Sequence, residues 1–227
     1  MTDRSRMGRF IQPKATKGSQ KWIQILINEK PDILNKQLQT NLNMKENEKI
    51  QWLSPLKSDD YAEYRDKEVL DLLGVSFDTL QKTEFWTDMG PQWDGIGKTS
   101  ERILLIEAKS HIPELISSLK AKDPNSITII KRSLEKTKKQ LGSKTDFDWS
   151  KTFYQYANRL AHMNFLRSLY LPSFLVCVYF VNDSEMKGPA TVEEWKGAIR
   201  LLHRCLGLRE RFIQKCVADI FIDVTKI

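Results

Sequence analysis

Apolar residues in this chain recur at two periods, one suited to helices and one to strands. Residues 151–169 contain no Pro or Gly, and Phe153, Tyr156, Leu160 and Met163 recur every three or four positions. That spacing predicts a long helix, which Pro172 brings to an end. Residues 173–181 are apolar and rich in β-favouring types, and they read as a strand. Residues 102–108 are apolar almost to their end, the pattern of an interior strand covered on both faces. Residues 85–86 and 92–97 read as two shorter strands and 217–224 as a late one. Ser19 caps a short helix to Asn28 with Trp22, Ile25 and Leu26 on one side, and Pro31 opens another that reaches Leu38. Residues 1–17 are a polar, basic arm expected to be loosely ordered, and 40–49 a polar connector. Asp59 or Asp60 caps a helix to Leu73 that Gly74 stops, with Tyr61, Tyr64, Val69, Leu72 and Leu73 as its apolar side. Residues 127–138 supply a further helix, and Thr191 with Glu194 makes a capping box for one that ends near Leu206. The order of helix, three strands, helices, strand, helix and strand predicts an α/β (α+β sandwich) fold with a mixed central sheet.

The chain has 227 residues, 41% hydrophobic and 29% charged, enough for a real core and short enough for one domain. This excludes a disulfide-stapled peptide, a collagen-like repeat and a disordered tail. Cys177, Cys205 and Cys216 have no ligand-spaced neighbours, so reduced thiols and a cytoplasmic location are expected rather than a disulfide framework or zinc ribbon. No apolar run nears the roughly 18 residues needed to cross a bilayer, so no membrane association is expected. The basic stretch 4–9 is not followed by a signal-like apolar segment, which argues against a secretory leader. The 36 Lys and Arg against 29 Asp and Glu give a net charge of +7, which permits a polyanionic partner but names no substrate.

Candidate chemistry concentrates where two of the predicted strands meet. If 92–97 and 102–108 pair antiparallel through 98–101, partner numbers total about 201 and Asp94 faces Glu107. Cross-strand partners point to one side with Cβ atoms about 5 Å apart. Two carboxylates that close need a proton or a cation, and an oxygen-seeking divalent ion, Mg²⁺ or Mn²⁺, is the natural compensation. Alternation puts Lys109 on the Glu107 side, while Ala108 turns away and offers its carbonyl as a further ligand. A metal there can acidify a water, and Lys109 can orient that water or offset charge on a phosphate, which implies phosphodiester hydrolysis. Gly95 and Gly97 are expected to leave room beside the acid for a substrate backbone. The alternative for the same residues is a solvated strand edge or a simple ion pair.

Asp94, Gly95, Glu107, Ala108 and Lys109 resemble the active-site hairpin of the PD-(D/E)XK, or restriction-endonuclease-like, nuclease superfamily. The resemblance implies a four-stranded mixed core sheet flanked by helices and divalent-metal-dependent cleavage of nucleic-acid backbones. It implies Asp94 and Glu107 as metal ligands and Lys109 as the catalytic lysine. It spans about 59–181, the expected catalytic core, with 1–50 a helical N-terminal extension of a single 1–227 domain. Trp93 stands where the family pattern often has proline. Many members add a glutamate from the first core helix, for which Glu63 is the choice and Glu68 the reserve. DNA is favoured over RNA as the partner, and a homodimer would suit two-strand cleavage. The competing functions are a nucleic-acid-binding protein of the same fold without turnover, and a structural or protein-interaction module in which the acidic hairpin is incidental.

Gln155, Arg159 and His162 fall on one stripe of the long helix, within reach of phosphates or bases if that helix packs beside the sheet. Gln155 and Arg159 also resemble the extra polar helix residues that some branches of the superfamily place near the site. His111 follows the Glu-Ala-Lys element and can contact a phosphate or simply finish a loop. Lys131, Arg132, Lys136, Lys138 and Lys139, with Lys120 and Lys122 nearby, form either a strand-binding rim or a solvated surface. Trp86, Trp93 and Trp149 are either stacking platforms or packing residues.

Overall fold

The computed structural model describes residues 8–75, 85–87 and 90–227. A two-stranded antiparallel sheet joins β1 (Arg9–Phe10) to β3 (Glu63–Tyr64). The main sheet has the order β2 (Gln51–Ser54), β4 (Gly95–Lys98), β5 (Ile103–Lys109), β6 (Ser173–Val181) and β7 (Val217–Asp223) among the described residues. The pairs β2/β4 and β4/β5 are antiparallel, and β5/β6 and β6/β7 parallel. The sheet is therefore mixed, and its edge strands β2 and β7 lie outside 59–181.

Side-chain alternation on β5 and β6 explains why both strands are apolar almost throughout. Ile103, Leu105, Leu175 and Tyr179 enter one core layer, and Leu104, Ile106, Ala108, Val176, Val178 and Phe180 enter the other. The first layer is covered by α3 (Asp66–Leu73), α4 (Pro124–Gln140), α5 (Tyr154–Ser168), α6 (Val192–Cys205) and α7 (Glu210–Cys216). The second is covered by α1 (Gly18–Asn28) and α2 (Pro31–Asn41) through Ile23, Leu26, Leu34 and Leu38. Each such side chain fully buried contributes about 1.5–3 kcal/mol. No helix of the described residues is long and apolar enough to cross a membrane, and the three cysteines are free thiols.

Several sequence expectations are corrected. Residues 1–7 of the expected loose arm lie outside the described residues, but beyond them the arm is held: β1 pairs with β3, and Gln24 bonds Ala15 N–H and Pro13 O. Ser19 is inside α1 rather than its cap, because Gly18 (φ 70°) turns the chain into the helix one residue earlier. The helix expected from Asp59 or Asp60 begins only at Asp66. The Asp59 carboxylate is taken by Arg9 at 2.5 Å and by the Tyr64 hydroxyl, and Asp60 and Tyr61 adopt left-handed backbone, so residues 59–64 cannot continue as helix. Glu63 consequently sits on a short strand and not on the first core helix. Phe85 and Trp86 form no strand; Phe85 stacks on Phe165 of α5 at 4.2 Å between centroids. Strand β2 and helix α7 had no counterpart in the sequence pattern.

Gly95 and Gly97 do not open space for a substrate. A Cβ on Gly95 would lie 3.2 Å from both Ile27 of α1 and Ile106, and one on Gly97 would lie 3.1 Å from the Trp52 ring. Both glycines let the second core layer approach the sheet on the face away from Asp94. Gly95→Val therefore overpacks this layer, with an expected loss of about 1–3 kcal/mol in urea unfolding.

Candidate active site

The hairpin pairs with the expected register, Gly95 opposite Ile106 and Lys98 opposite Ile103. Two residues before β4 the chain is off the main sheet: Trp93 N–H donates to Tyr64 O at 3.1 Å and bridges to β3. The Asp94 side chain fills the vacated ladder position, its Oδ2 accepting from Ala108 N–H at 2.7 Å. In a strand the N–H and C=O of one residue point to the same neighbour, so the Ala108 carbonyl faces this same open edge.

Glu107 points into the first core layer and is almost fully buried, with 4% exposure. Its Oε1 accepts from the Lys109 ammonium and its Oε2 from Arg159 Nε at 2.5 Å. Arg159, on α5 and also buried, donates through Nη2 to Gln92 O at 2.7 Å and lies over the Trp93 ring. One guanidinium thus ties Glu107 to the segment that leads into Asp94. Glu63, on β3, accepts from the amides of Gln92 at 2.5 Å, Gln20 at 3.1 Å and Gln12 at 3.2 Å. These three glutamines come from separate segments and carry no motif, so nothing in the sequence pointed to them.

The charges are coupled. Burial, reinforced by the charge of Glu107 and only partly offset by Lys109, pushes the Asp94 carboxyl up to about 8. Burial also raises Glu63 despite its three amide partners, with Glu107 adding to the shift. Burial would raise Glu107 too, but Arg159 and Lys109 outweigh it and hold this carboxylate below its usual range. Burial would lower Lys109, and Glu107 and Asp94 keep its ammonium above the ordinary value. Among the described residues no three His, Cys, Asp or Glu side chains form a ready-made metal cluster; Glu107 is turned onto its two cations instead.

Beside this centre runs a cleft of about 600 Å³ whose lining includes Gln92, Lys120, Lys122, Gln155 and Arg159. Gln155 also borders a void of about 10 Å³ with Glu107, Lys109 and Glu114, room for about one water. Gln155 and Arg159 are thus brought to the site, and Lys120 and Lys122 to its approach. The rest of the helix stripe is not: His162 packs edge-on against Phe85 and Trp86 and burial pushes it down to about 3. His111 holds Glu114 at 2.6 Å within a tight turn. Glu68 is on α3, separate from the Glu63 amide set. Trp93 and Trp149 are buried packing residues and offer no stacking face. Lys131, Arg132, Lys136 and Lys139 lie exposed on α4.

Two measurements probe this arrangement. Arg159→Met leaves a buried carboxylate with one cation and should destabilise the fold by about 3–5 kcal/mol, with Glu107→Gln in the same background recovering part of the loss. For Asp94 the folded pKa of about 8 lies above the ordinary 3.8. Between these values the native state keeps a proton that the unfolded chain has released, so its contribution to stability falls as pH rises across that window. Glu107 has the opposite sign, its contribution being lost as pH falls through its lowered pKa. Asp94→Asn keeps an acceptor for Ala108 N–H and removes the charge. In chelator at pH 8 it should exceed wild-type stability by about 1.4 kcal/mol or more, the linkage of one pKa unit, and urea midpoints at pH 5 and 8 should differ less than in wild type.

Comparison with protein-family models, with curated proteins and with solved structures gives no match.

Proposed function

We propose that this protein is a divalent-metal-dependent nuclease that hydrolyses phosphodiester bonds, with DNA favoured over RNA. The observation that carries the reading is the Asp94 to Ala108 N–H bond at the hairpin end. It keeps an aspartate near Glu107 and Lys109, and Arg159, the partner of Glu107, lines the inner end of a lysine-rimmed cleft. This is the arrangement that the PD-(D/E)XK resemblance implies, and a mixed sheet flanked by helices is compatible with it.

The donor chemistry suits Mg²⁺ or Mn²⁺: the carboxylates of Asp94 and Glu107 and the Ala108 carbonyl are all hard oxygens, and the burial and like charge that raise Asp94 are what a cation relieves. Those three groups would hold the ion. The chemistry such an ion supplies is a lowered water pKa and a counter-charge for phosphate oxygens. Lys109 holds one oxygen of Glu107 and borders the water-sized void, so its ammonium is placed to orient a nucleophilic water or to offset charge on the phosphate. In the hydrolysis the water oxygen forms a bond to phosphorus, the opposite ester P–O bond breaks, and the departing oxygen takes a proton. Arg159 and Gln92 keep the two acidic strand ends together, and Glu63 completes the acidic surroundings through Gln92. Three free thiols suit a reducing compartment such as the cytoplasm.

The capture of both Glu107 oxygens by cations favours a second reading, a strand-binding protein of the same architecture without turnover. Cleavage assays on single-stranded, duplex and branched DNA decide between them. Wild type should cut with Mg²⁺ or Mn²⁺ and not in chelator, and Asp94→Asn and Lys109→Ala should each lose about 100-fold or more. Calorimetry should show Mn²⁺ binding to wild type that Asp94→Asn abolishes. Unchanged cleavage in both variants, or no Mn²⁺ binding, sinks the nuclease assignment.

A further inference from the structure

The cleft beside the acidic centre has a composition that the hydrolysis itself does not require. Its walls come from the stretch before β4, the loop after β5 and the first turns of α5. At its inner end are Gln92 and Arg159, which bond to Glu63 and Glu107, so cleft and acidic centre are continuous. On one wall is the half-buried ring of Tyr154, whose hydroxyl accepts from Asn158 Nδ2 at 3.3 Å. Asn158, another lining residue, is 6% exposed, and its buried Oδ1 has no hydrogen-bond partner. On the outer rim Lys120 and Lys122 are exposed and make no ion pair among the described residues. Asp123, beside them, is already engaged in capping α4 through Ser126 N–H.

We propose that this cleft takes one unpaired nucleotide of a single strand, its base against Tyr154 with the base edge toward Gln155 and Asn158, and its phosphates toward Lys120 and Lys122. The inference rests on the nuclease reading and names its substrate class: a strand end or an extruded base next to the bond presented to Asp94, Glu107 and Lys109. Three features argue for an unpaired unit. A volume of about 600 Å³ is that of a small-molecule site. An aromatic face and two exposed lysines match one base and its backbone. The Watson–Crick edge of a base is open to an amide inside a cleft only when the base is unpaired and out of the helical stack, since in a duplex only the groove edges stay free.

The test is binding in chelator, where no cleavage intervenes, read by the anisotropy of a short fluorescein-labelled single strand and of its blunt duplex. The single strand should bind about tenfold or more tightly than the duplex. Tyr154→Leu and Asn158→Ala should each weaken the single strand about tenfold or more and leave the duplex unchanged. Lys120→Ala/Lys122→Ala, two surface changes that do not threaten the fold, should lower the slope of log affinity against log salt by about 0.7 for each phosphate that a lysine no longer neutralises. Equal binding of strand and duplex, or wild-type affinity and salt slope in all of these variants, overturns the inference. The Asp94→Asn cleavage assay separates the two failures. Metal-dependent cutting with unaltered binding in the cleft variants overturns the nucleotide site and leaves the nuclease. Strand binding lost in Tyr154→Leu, with no cutting under any metal, overturns the nuclease and leaves a strand-binding cleft.

Discussion

A carboxylate buried at the end of an interior strand has to be compensated, and the structure around Glu107 is organised by that requirement. An isolated ionised acid at 4% exposure would be prohibitively costly. One cation comes from its own strand, Lys109, and the other from α5, Arg159. The second of these fixes more than a charge. Arg159 reaches Glu107 only if the first turns of α5 lie over the hairpin, and through Nη2 it also grips Gln92 O. The position of the long helix, the departure of the chain before β4 and the placement of Asp94 are therefore linked through one side chain.

The same linkage shows what local sequence could reveal and what it could not. Strand β6 and the Thr191 capping box are legible because their determinants are contiguous: an uninterrupted apolar run, and two polar residues three apart. The register of β4 on β5 was legible because a four-residue connection leaves few ways to pair. The start of α3 was not, because Asp59, a competent helix cap in isolation, is taken by Arg9, 50 residues away. The amides around Glu63 come from positions 12, 20 and 92, and no window contains them.

Gly95 is a different kind of miss, since the signal was present. Neighbouring strand residues face opposite sides, so a glycine next to Asp94 looks away from the acid. Its missing side chain serves the packing of Ile27 and not the approach of a substrate. Arg159 was legible as a polar residue on the right helix face, but its commitment to a buried ion pair depends on where α5 lands, which no helical period encodes.

Three carboxylates at one site are held by three kinds of partner, and this sets their charge states apart. Glu107 has two cations and is ionised at neutral pH. Asp94 has a backbone N–H and Glu63 has amides, neutral donors that leave burial and the like charge of Glu107 in control, so both are raised. Lys109 acts on two of the three at once, bonded to Glu107 and lowering Asp94 through its field. A cation arriving at the hairpin end would therefore meet an Asp94 that holds a proton the cation has to displace, and a Glu107 already bonded to two cations. An activity that uses both acids takes Glu107 through the lone pairs that Lys109 and Arg159 leave free, or loosens one of these two cations. Because Arg159 also anchors Gln92 and lies over Trp93, Lys109 is the partner that can be loosened without moving the strand ends that bring the acids together.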